Sequence, residues 1–464
     1  MKGITSWSFE RYRPPVNDGT EIYICQIIPS RERIYLAYKC ETVSGEWRIH
    51  YRKKGSEDAW QTVCTGCDSV TLDSLDDLCD YELYVSCGDK KSAVGYARTG
   101  ECVGVTVNYL HPDDPKYAFS GQHPCTPSLL KHPDGYMLAS MDVYDGRAPQ
   151  NLTLIFRSDD GGATWYHYTE LFPCFWGKLF MHRGDVYMLA TSTEYGDLLI
   201  GRSPDGGKHF DVPTVIHRGS SECWTPGWHK SAMPVISHKG RLWTGVDYGC
   251  HKTGGHATCL LSVSESDDLL SASSWSISEP LPFDPSWEGA VSNDSRGFIE
   301  GNAVVFPDGE IGMIIRYMTH LGTPSWGVTG LLRGNACEPE RQLEFYKFVR
   351  FSGNMSKFDV LYDEVSRTYF SIINSIRDES NVCARNVLAL AVSEDLENWR
   401  EVCDLLNYGS EDASKVAFQY VSFAFDGDDI IYLSRTAFNG AQNYHDNNYI
   451  TFHRLRDFRG LLQN

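Results

Sequence analysis

The sequence predicts an all-β protein, a six-bladed β-propeller preceded by a small β-sandwich. Three observations carry this. An apolar strand, a turn and a second apolar strand recur six times from Thr126 onward, at steps of 52 to 70 residues, a period that matches four-stranded blades. The loop "RSDDGGATW" after the strand-like run "LTLIF" reads S-x-D-x-G-x-T-W, and it returns as "GRSPDGGKHF". Upstream of both, short alternating strands follow one another with turn residues between them.

The bounds come from composition. A chain of 464 residues, 42% hydrophobic, buries a large core and holds more than one structural unit. A net charge of −19 argues against nucleic acid and anionic membranes as partners. No apolar run is long enough to span a membrane. The start "MKGITSWSFERYRPP" has no apolar core of signal-peptide type. The 15 cysteines are odd in number and scattered, so reduced thiols and a cytoplasmic location are expected. Cys64 and Cys67 form a CxxC without a second pair or a nearby histidine, and neither a metal nor a cofactor is predicted.

Residues 1–105 contain "EIYICQII", "RIYLAYKC", "EWRIHYRKK", "AWQTVCTG", "YELYVSC" and "AVGYART". This layout resembles a fibronectin type III module. Trp47 lies on a middle strand, and Leu75 precedes the strand of Tyr81, where such modules carry a tyrosine corner.

Residues 106–464 form the repeat region. Its inner hairpins are "TPSLLKHPDGYMLASMD", "KLFMHRGDVYMLATSTE", "SAMPVISHKGRLWTGVD", "GNAVVFPDGEIGMIIRY", "KFDVLYDEVSRTYFSIIN" and "YVSFAFDGDDIIYLSRT". The longer steps predict loops over one face at 276–299 and 317–346. In the turns, Ser and Asp side chains bond nearby amides and Gly supplies positive φ. Ser158, Asp160, Gly162 and Trp165 are matched by Ser203, Asp205, Gly207 and Phe210. Weaker echoes end at Trp275 and Trp399.

A propeller with such turns resembles the sialidase superfamily, whose repeats are called Asp boxes. In "EGNAVVFPDGEIGMIIR", Glu300 and Arg316 stand at the spacing of that family's blade-opening glutamate and one arginine of its carboxylate clamp. Cys125 in "HPCTPSLL" stands where the first clamp arginine would be, so the chain is not a typical sialidase. The resemblance places the family's general acid at Asp142. The texture is similar to sialidase-like glycosidases of bacteria.

Propeller geometry makes the starts of the inner strands converge on one face. Those positions hold His123, Trp176 with Lys178, His229 with Lys230, Glu300 with Asn302, Lys357, and Gln419 with Tyr420. The second strands return there near Asp142, Glu194, Asp247, Arg316, Asn374 and Arg435. Tyr444 and His445, in "AQNYHDNN", follow the last inner hairpin and are expected over the mouth. Trp176 suits either a sugar platform or packing between blades.

The function expected is an exo-acting glycoside hydrolase on an oligosaccharide. Glycosidic hydrolysis uses two carboxyl groups, here Asp142 and Glu300, with Glu194 and Asp247 as substitutes. Arg316, Lys230 and Lys357 would hold an acid group or crowded hydroxyls, and His229 would share proton transfer. One alternative is a lyase acting on a uronate through His229, Tyr444 and Arg316. The other is a non-catalytic carbohydrate-binding propeller. An oligosaccharide or glycoside is the partner in each case, and a homo-oligomer is left open.

Overall fold

Runs of β-branched and aromatic residues, cut by Gly, Asp and Asn turns, fold as antiparallel strands almost throughout. The computed structural model describes residues 6–8, 22–40, 45–114, 121–145, 149–220, 225–291, 295–319, 326–353 and 356–463. Among them the only helices are four short 3₁₀ turns, and no helix is long and apolar enough to cross a membrane.

Two small sheets come first. Tyr23–Ser30, Arg33–Lys39 and Ser69–Leu72 make one. Trp47–Lys53, with Gln61–Thr65 and Asp80–Cys87 on its flanks, makes the centre of the other. Alternate residues of both sheets, among them Ile34, Leu36, Tyr38, Trp47, Ile49, Leu83 and Val85, share one core. The Tyr81 hydroxyl accepts from the Asp76 amide at 2.9 Å.

Six larger sheets follow, each an up-and-down meander. Their innermost strands are His123–Lys131, Phe175–His182, Gly227–His229 with Ile236–His238, Ser295–Val305, Val360–Asp363 and Ala417–Asp426. The sixth takes its outermost strand, Val105–Tyr109, from upstream of the first sheet. That pairing ties the two ends of the array by backbone hydrogen bonds.

Apolar clusters lie between consecutive sheets. Leu138 and Leu179 belong to the cluster between the first and second, and Leu242 joins Leu198 between the second and third. Val107, Leu433 and Met141 close the cycle between the sixth and the first. The core is therefore divided among inter-sheet seams that return to their start.

The predicted turns are held by their own side chains. Gly162 N donates to Ser158 Oγ at 2.9 Å, and Thr164 N to Asp160 Oδ1 at 2.9 Å. The second copy has Gly207 N on Ser203 Oγ and His209 N on Asp205 Oδ1. Trp165 Nε1 donates back to Gly162 O at 3.2 Å, folding its indole over the turn.

Two expectations need correction. The stretch 317–346 is not one loop, because Val328–Arg333 is the third strand of its sheet. The stretch 276–299 includes Leu281–Pro282 and the start of Ser295–Val305, both paired. Sequence period marks repeat length but does not separate a loop from strands longer than their neighbours. The third inner strand is also interrupted between His229 and Ile236, where Pro234 lacks a ladder donor.

Candidate active site

The inner strands share a device at one end. Their register slips at Cys125/Ser128, Phe175/Lys178, Ile299/Gly301 and Gln419/Ser422. Within these slips Thr126, Trp176, Glu300 and Tyr420 adopt positive φ of 43°, 53°, 60° and 52°. An extra residue unpairs the strand and re-aims a side chain. Left-handed backbone at non-glycine positions persists where surrounding bonds over-determine it.

Those bonds come from neighbouring sheets. Asp142 Oδ2 accepts from the Trp176 amide, and Asp247 Oδ2 from the Glu300 amide, each at 2.9 Å. Asp142 also accepts from Thr153 Oγ1 at 2.6 Å and is 1% exposed. Burial pushes it up to about 8, against these hydrogen bonds. Asp247 is pushed up to about 6, again by burial first. The same bond recurs at the same place in two sheets, each aspartate tied to the bulge of its neighbour.

Asn302 is engaged between sheets. Its amide donates to Phe358 O and accepts from Val360 N, and it is fully buried. Ser128 and Ser422 make the same kind of bridge to Leu179 N and Leu129 N. Asn374 is spent on Phe418 O. Gln419 accepts from Arg385 Nη1 and donates to Tyr444 O at 2.5 Å, so it organises the rim.

The remaining residues form a continuous ring of contacts. Arg316 Nη1 lies 2.6 Å from Glu300 Oε2 and 3.5 Å from the Tyr420 hydroxyl. The Arg435 guanidinium lies 5.1 Å from the Tyr420 ring centroid and 5.7 Å from that of Tyr144. Tyr144 packs with Cys125, Phe175 and Trp176. Trp176 meets His229 with ring centroids 4.0 Å apart, and His229 Nδ1 lies 3.5 Å from Asp247 Oδ2, which accepts from the Glu300 amide and closes the ring. Trp176 is 7% exposed, so it serves mainly as wall.

Tyr444 and His445 do stand beside this ring. His445 lies 5.4 Å from Tyr144, and its Nδ1 is 2.8 Å from Asp446 Oδ1. Arg435 is held by Asn447 Oδ1 and His445 O, and His123 bonds Asn447 O at 3.2 Å. Lys178, Lys230 and Lys357 are buried among the inner strands, where Lys178 Nζ donates to Ser422 Oγ and Lys357 Nζ to Val421 O.

Two carboxyls are driven in opposite directions. Burial pushes Glu194 up to about 7, although Gln150 Nε2 donates to it. Burial would raise Glu300 too, yet the Arg316 guanidinium holds it below the usual carboxylate range. His229 is pushed down to about 4 by burial, which leaves it uncharged at neutral pH, so Arg316 supplies the effect.

Sequence reasoning missed Arg385, His251 and His256. Arg385 lies 5.9 Å from the Tyr420 ring and 5.7 Å from the Tyr444 ring. His256 lies 5.2 Å from His229 and 4.7 Å from His251. All three sit in or beside connections between second and third strands. An up-and-down meander returns those connections to the same rim, and that was the available signal. Among the described residues no group of three His, Cys, Asp or Glu is arranged to hold a metal ion. Every described cysteine is free, while Cys223 lies outside the described residues.

No family model matches the chain, and no curated protein matches it in sequence. Solved structures do resemble it. The GH93 α-L-arabinofuranosidase of Fusarium graminearum, in complex with arabinobiose, has a TM-score of 0.50 at 11% identity over 76% of this chain and 97% of that one. A mutant of the α-L-arabinofuranosidase from the same fungus, bound to an iminosugar inhibitor, has a TM-score of 0.51 at 12% identity with the same coverage. Trypanosoma rangeli sialidase with 2,3-difluorosialic acid has 0.50 at 13% identity, over 78% of this chain and 59% of that one. This chain is similar to them in fold.

Proposed function

We propose that the chain is a glycoside hydrolase that removes a terminal sugar from an oligosaccharide. The observation that carries this is Glu300, bound to Arg316 at 2.6 Å in a rim shared with Tyr420, Arg435 and Tyr144, with the second carboxyl, Glu194, held by Gln150 and its charge reaching Tyr144 of the same rim. A carboxyl raised to about 7 is a proton donor at neutral pH, and one held low is a nucleophile or base. The similar folds of an α-L-arabinofuranosidase in complex with arabinobiose and a sialidase with 2,3-difluorosialic acid as a covalent intermediate support the reaction class.

The roles follow from contacts. Glu194 protonates the leaving oxygen, and Glu300 attacks the anomeric carbon or activates water. Arg316 keeps Glu300 ionised. Asp142 and Asp247 fix the bulges of Trp176 and Glu300. Arg316, Arg385 and Arg435 surround Tyr420, and this cluster favours a sugar with an acid group.

The same chemistry supports a second reading, a lyase acting on a uronate. His229 is neutral, and its Nδ1 lies 3.5 Å from Asp247 Oδ2, which orients the ring and leaves Nε2 as the nitrogen to accept a proton. We also read residues 1–105 as a fibronectin type III-like sandwich and residues 106–464 as a six-bladed, sialidase-like propeller. The Tyr81 hydroxyl bond to Asp76 supports the first, and the strand shared by residues 105–109 with the sixth sheet supports the second.

The test is a panel of aryl glycosides and uronate-bearing oligosaccharides, reading released phenol and near-ultraviolet absorbance together. Phenol without new absorbance indicates hydrolysis. A rise in absorbance indicates elimination, and neither signal across the panel would sink both enzymatic readings.

A further inference from the structure

A cavity lies beside the ring of contacts, where the third and fourth sheets meet at the rim. Its volume is about 390 Å³, and its lining includes Tyr248, Thr253, His256, Phe283 and Arg296. Tyr248 and His256 flank the connection from Arg241–Cys250 to Gly255–Ser264 in the third sheet. Arg296 comes from the innermost strand of the fourth sheet, four residues before Glu300. Phe283 follows Leu281–Pro282, which pairs with Ala257 and Thr258.

The walls are held by the protein itself. Phe283 lies 5.2 Å from Phe298, 5.4 Å from Tyr317 and 5.5 Å from Trp287. Tyr248 rests edge-on against Trp228 at 5.0 Å, yet stays 38% exposed. Concave sites of this size, with aromatic walls and a few polar groups, suit small organic ligands. A phenol offers an apolar face to the C–H side of a sugar and a hydroxyl to its edge.

His256 links this cavity to both carboxyls. Its ring lies 5.2 Å from His229, whose Nδ1 is 3.5 Å from Asp247 Oδ2, the acceptor of the Glu300 amide. The same ring stacks on Tyr195 at 5.8 Å, with 22° between the planes, and Tyr195 directly follows Glu194. His251 lies 4.7 Å from His256, and its amide donates to the Tyr195 hydroxyl at 3.4 Å. His256 is 7% exposed. The buried His251 Nδ1 and His256 Nε2 have no hydrogen-bond partner among the described residues. Buried polar atoms left unpaired are costly, and they are rare where no ligand or water meets them.

We infer that this cavity is the subsite for the second sugar of the substrate, on the leaving side of the scissile bond. The assignment of side rests on the proposed function, in which Glu194, next to Tyr195, protonates the leaving oxygen. Arg296 and Glu300 are about 13 Å apart at the usual rise of a strand, a span that an oligosaccharide bridges and a single sugar does not. Tyr248 stacks on the second ring, and Thr253, His256 and Arg296 pair with its hydroxyls.

The test uses the full chain as wild type, Y248A and T253W, the last placing a bulky side chain at the cavity. Retention of the labelled proteins on immobilised uronate-bearing oligosaccharides, against their single terminal sugars, reads binding without turnover. Wild type is expected to prefer the oligosaccharides, and both variants to bind them on the order of 10-fold more weakly. Where turnover is found, kcat/KM for the oligosaccharide falls by a similar factor, with a much smaller change in inhibition by the free terminal sugar. Tyr248 and Thr253 are exposed, and each variant tests the site if the other fails to fold. A wild type with no preference for chain length, or a preference that survives in the variants, overturns the inference. Retention without turnover keeps the sugar site and removes the hydrolase reading, and with it the leaving-side assignment.

Discussion

Arg316 Nη1 sits 2.6 Å from Glu300 Oε2, with both side chains under a tenth exposed. The two residues leave adjacent strands of one sheet, where Ile299 pairs with Arg316 and the bulge brings Glu300 round to face it. A buried pair of this kind is marginal for stability once desolvation is counted. Its effect is chemical, since it keeps a buried carboxylate ionised.

E300Q keeps shape and removes the charge. Turnover on a confirmed substrate is expected to fall on the order of 10²–10⁴, and Tm to fall with it, because the buried Arg316 guanidinium loses its counter-charge. A Gln variant with near-full turnover would remove Glu300 from the chemistry.

The pH profile of kcat/KM is expected to be bell-shaped. Activity falls above about 7 as Glu194 loses its proton, and falls again at acid pH where Glu300 gains one. E194Q should abolish the alkaline limb and leave the acid limb in place. An unchanged alkaline limb in E194Q would assign it to another group.

Asp142 is predicted to support structure, with a pH signature. Its folded pKa, about 8, lies above the unfolded value of about 3.9. Its share of stability is therefore full below pH 4 and declines as pH rises through 8. D142N cannot ionise, yet it disturbs the bonds to Thr153 and Trp176, on the order of 1–3 kcal/mol. Its Tm deficit against wild type should be smaller at pH 8.5 than at pH 5. A deficit that grows with pH would contradict the assignment.

Arg385 should matter for acidic substrates. R385A is expected to raise KM for a carboxylate-bearing glycoside on the order of 10–100-fold, with a much smaller change for its neutral analogue. Equal effects on both would mean that Arg385 serves the rim alone, through Gln419.

D160A provides the contrast, far from the rim. Asp160 accepts from Ser158 Oγ, Thr164 N and Thr164 Oγ1 within a single turn. Its loss should cost about 1 kcal/mol of stability and leave kcat and KM alone. A change in kcat would couple the turn to the site.

The sequence by itself determined what is local. Ser158 with Asp160, and Ser203 with Asp205, bond amides within five residues of themselves, so their turns are legible wherever the pattern occurs. Alternation of apolar residues marked the strands, and their recurrence marked the sheets. That strand ends gather at one rim follows from meander topology, which put Glu300, Arg316, His229 and Tyr420 on the same short list. Only the tertiary structure decided what each of them does there. Glu300 and Asn302 are two residues apart and equally polar, yet one meets Arg316 while the other bridges to Phe358 and Val360. A bulge of one residue shifts the facing of everything beyond it, and its position is set by an amide bond to Asp247, 53 residues away. Arg385 reaches the site through a connection that strand patterns do not mark. The pKa values of Glu194 and Glu300 part because burial and Arg316 act on them through space, and neither is written in neighbouring residues.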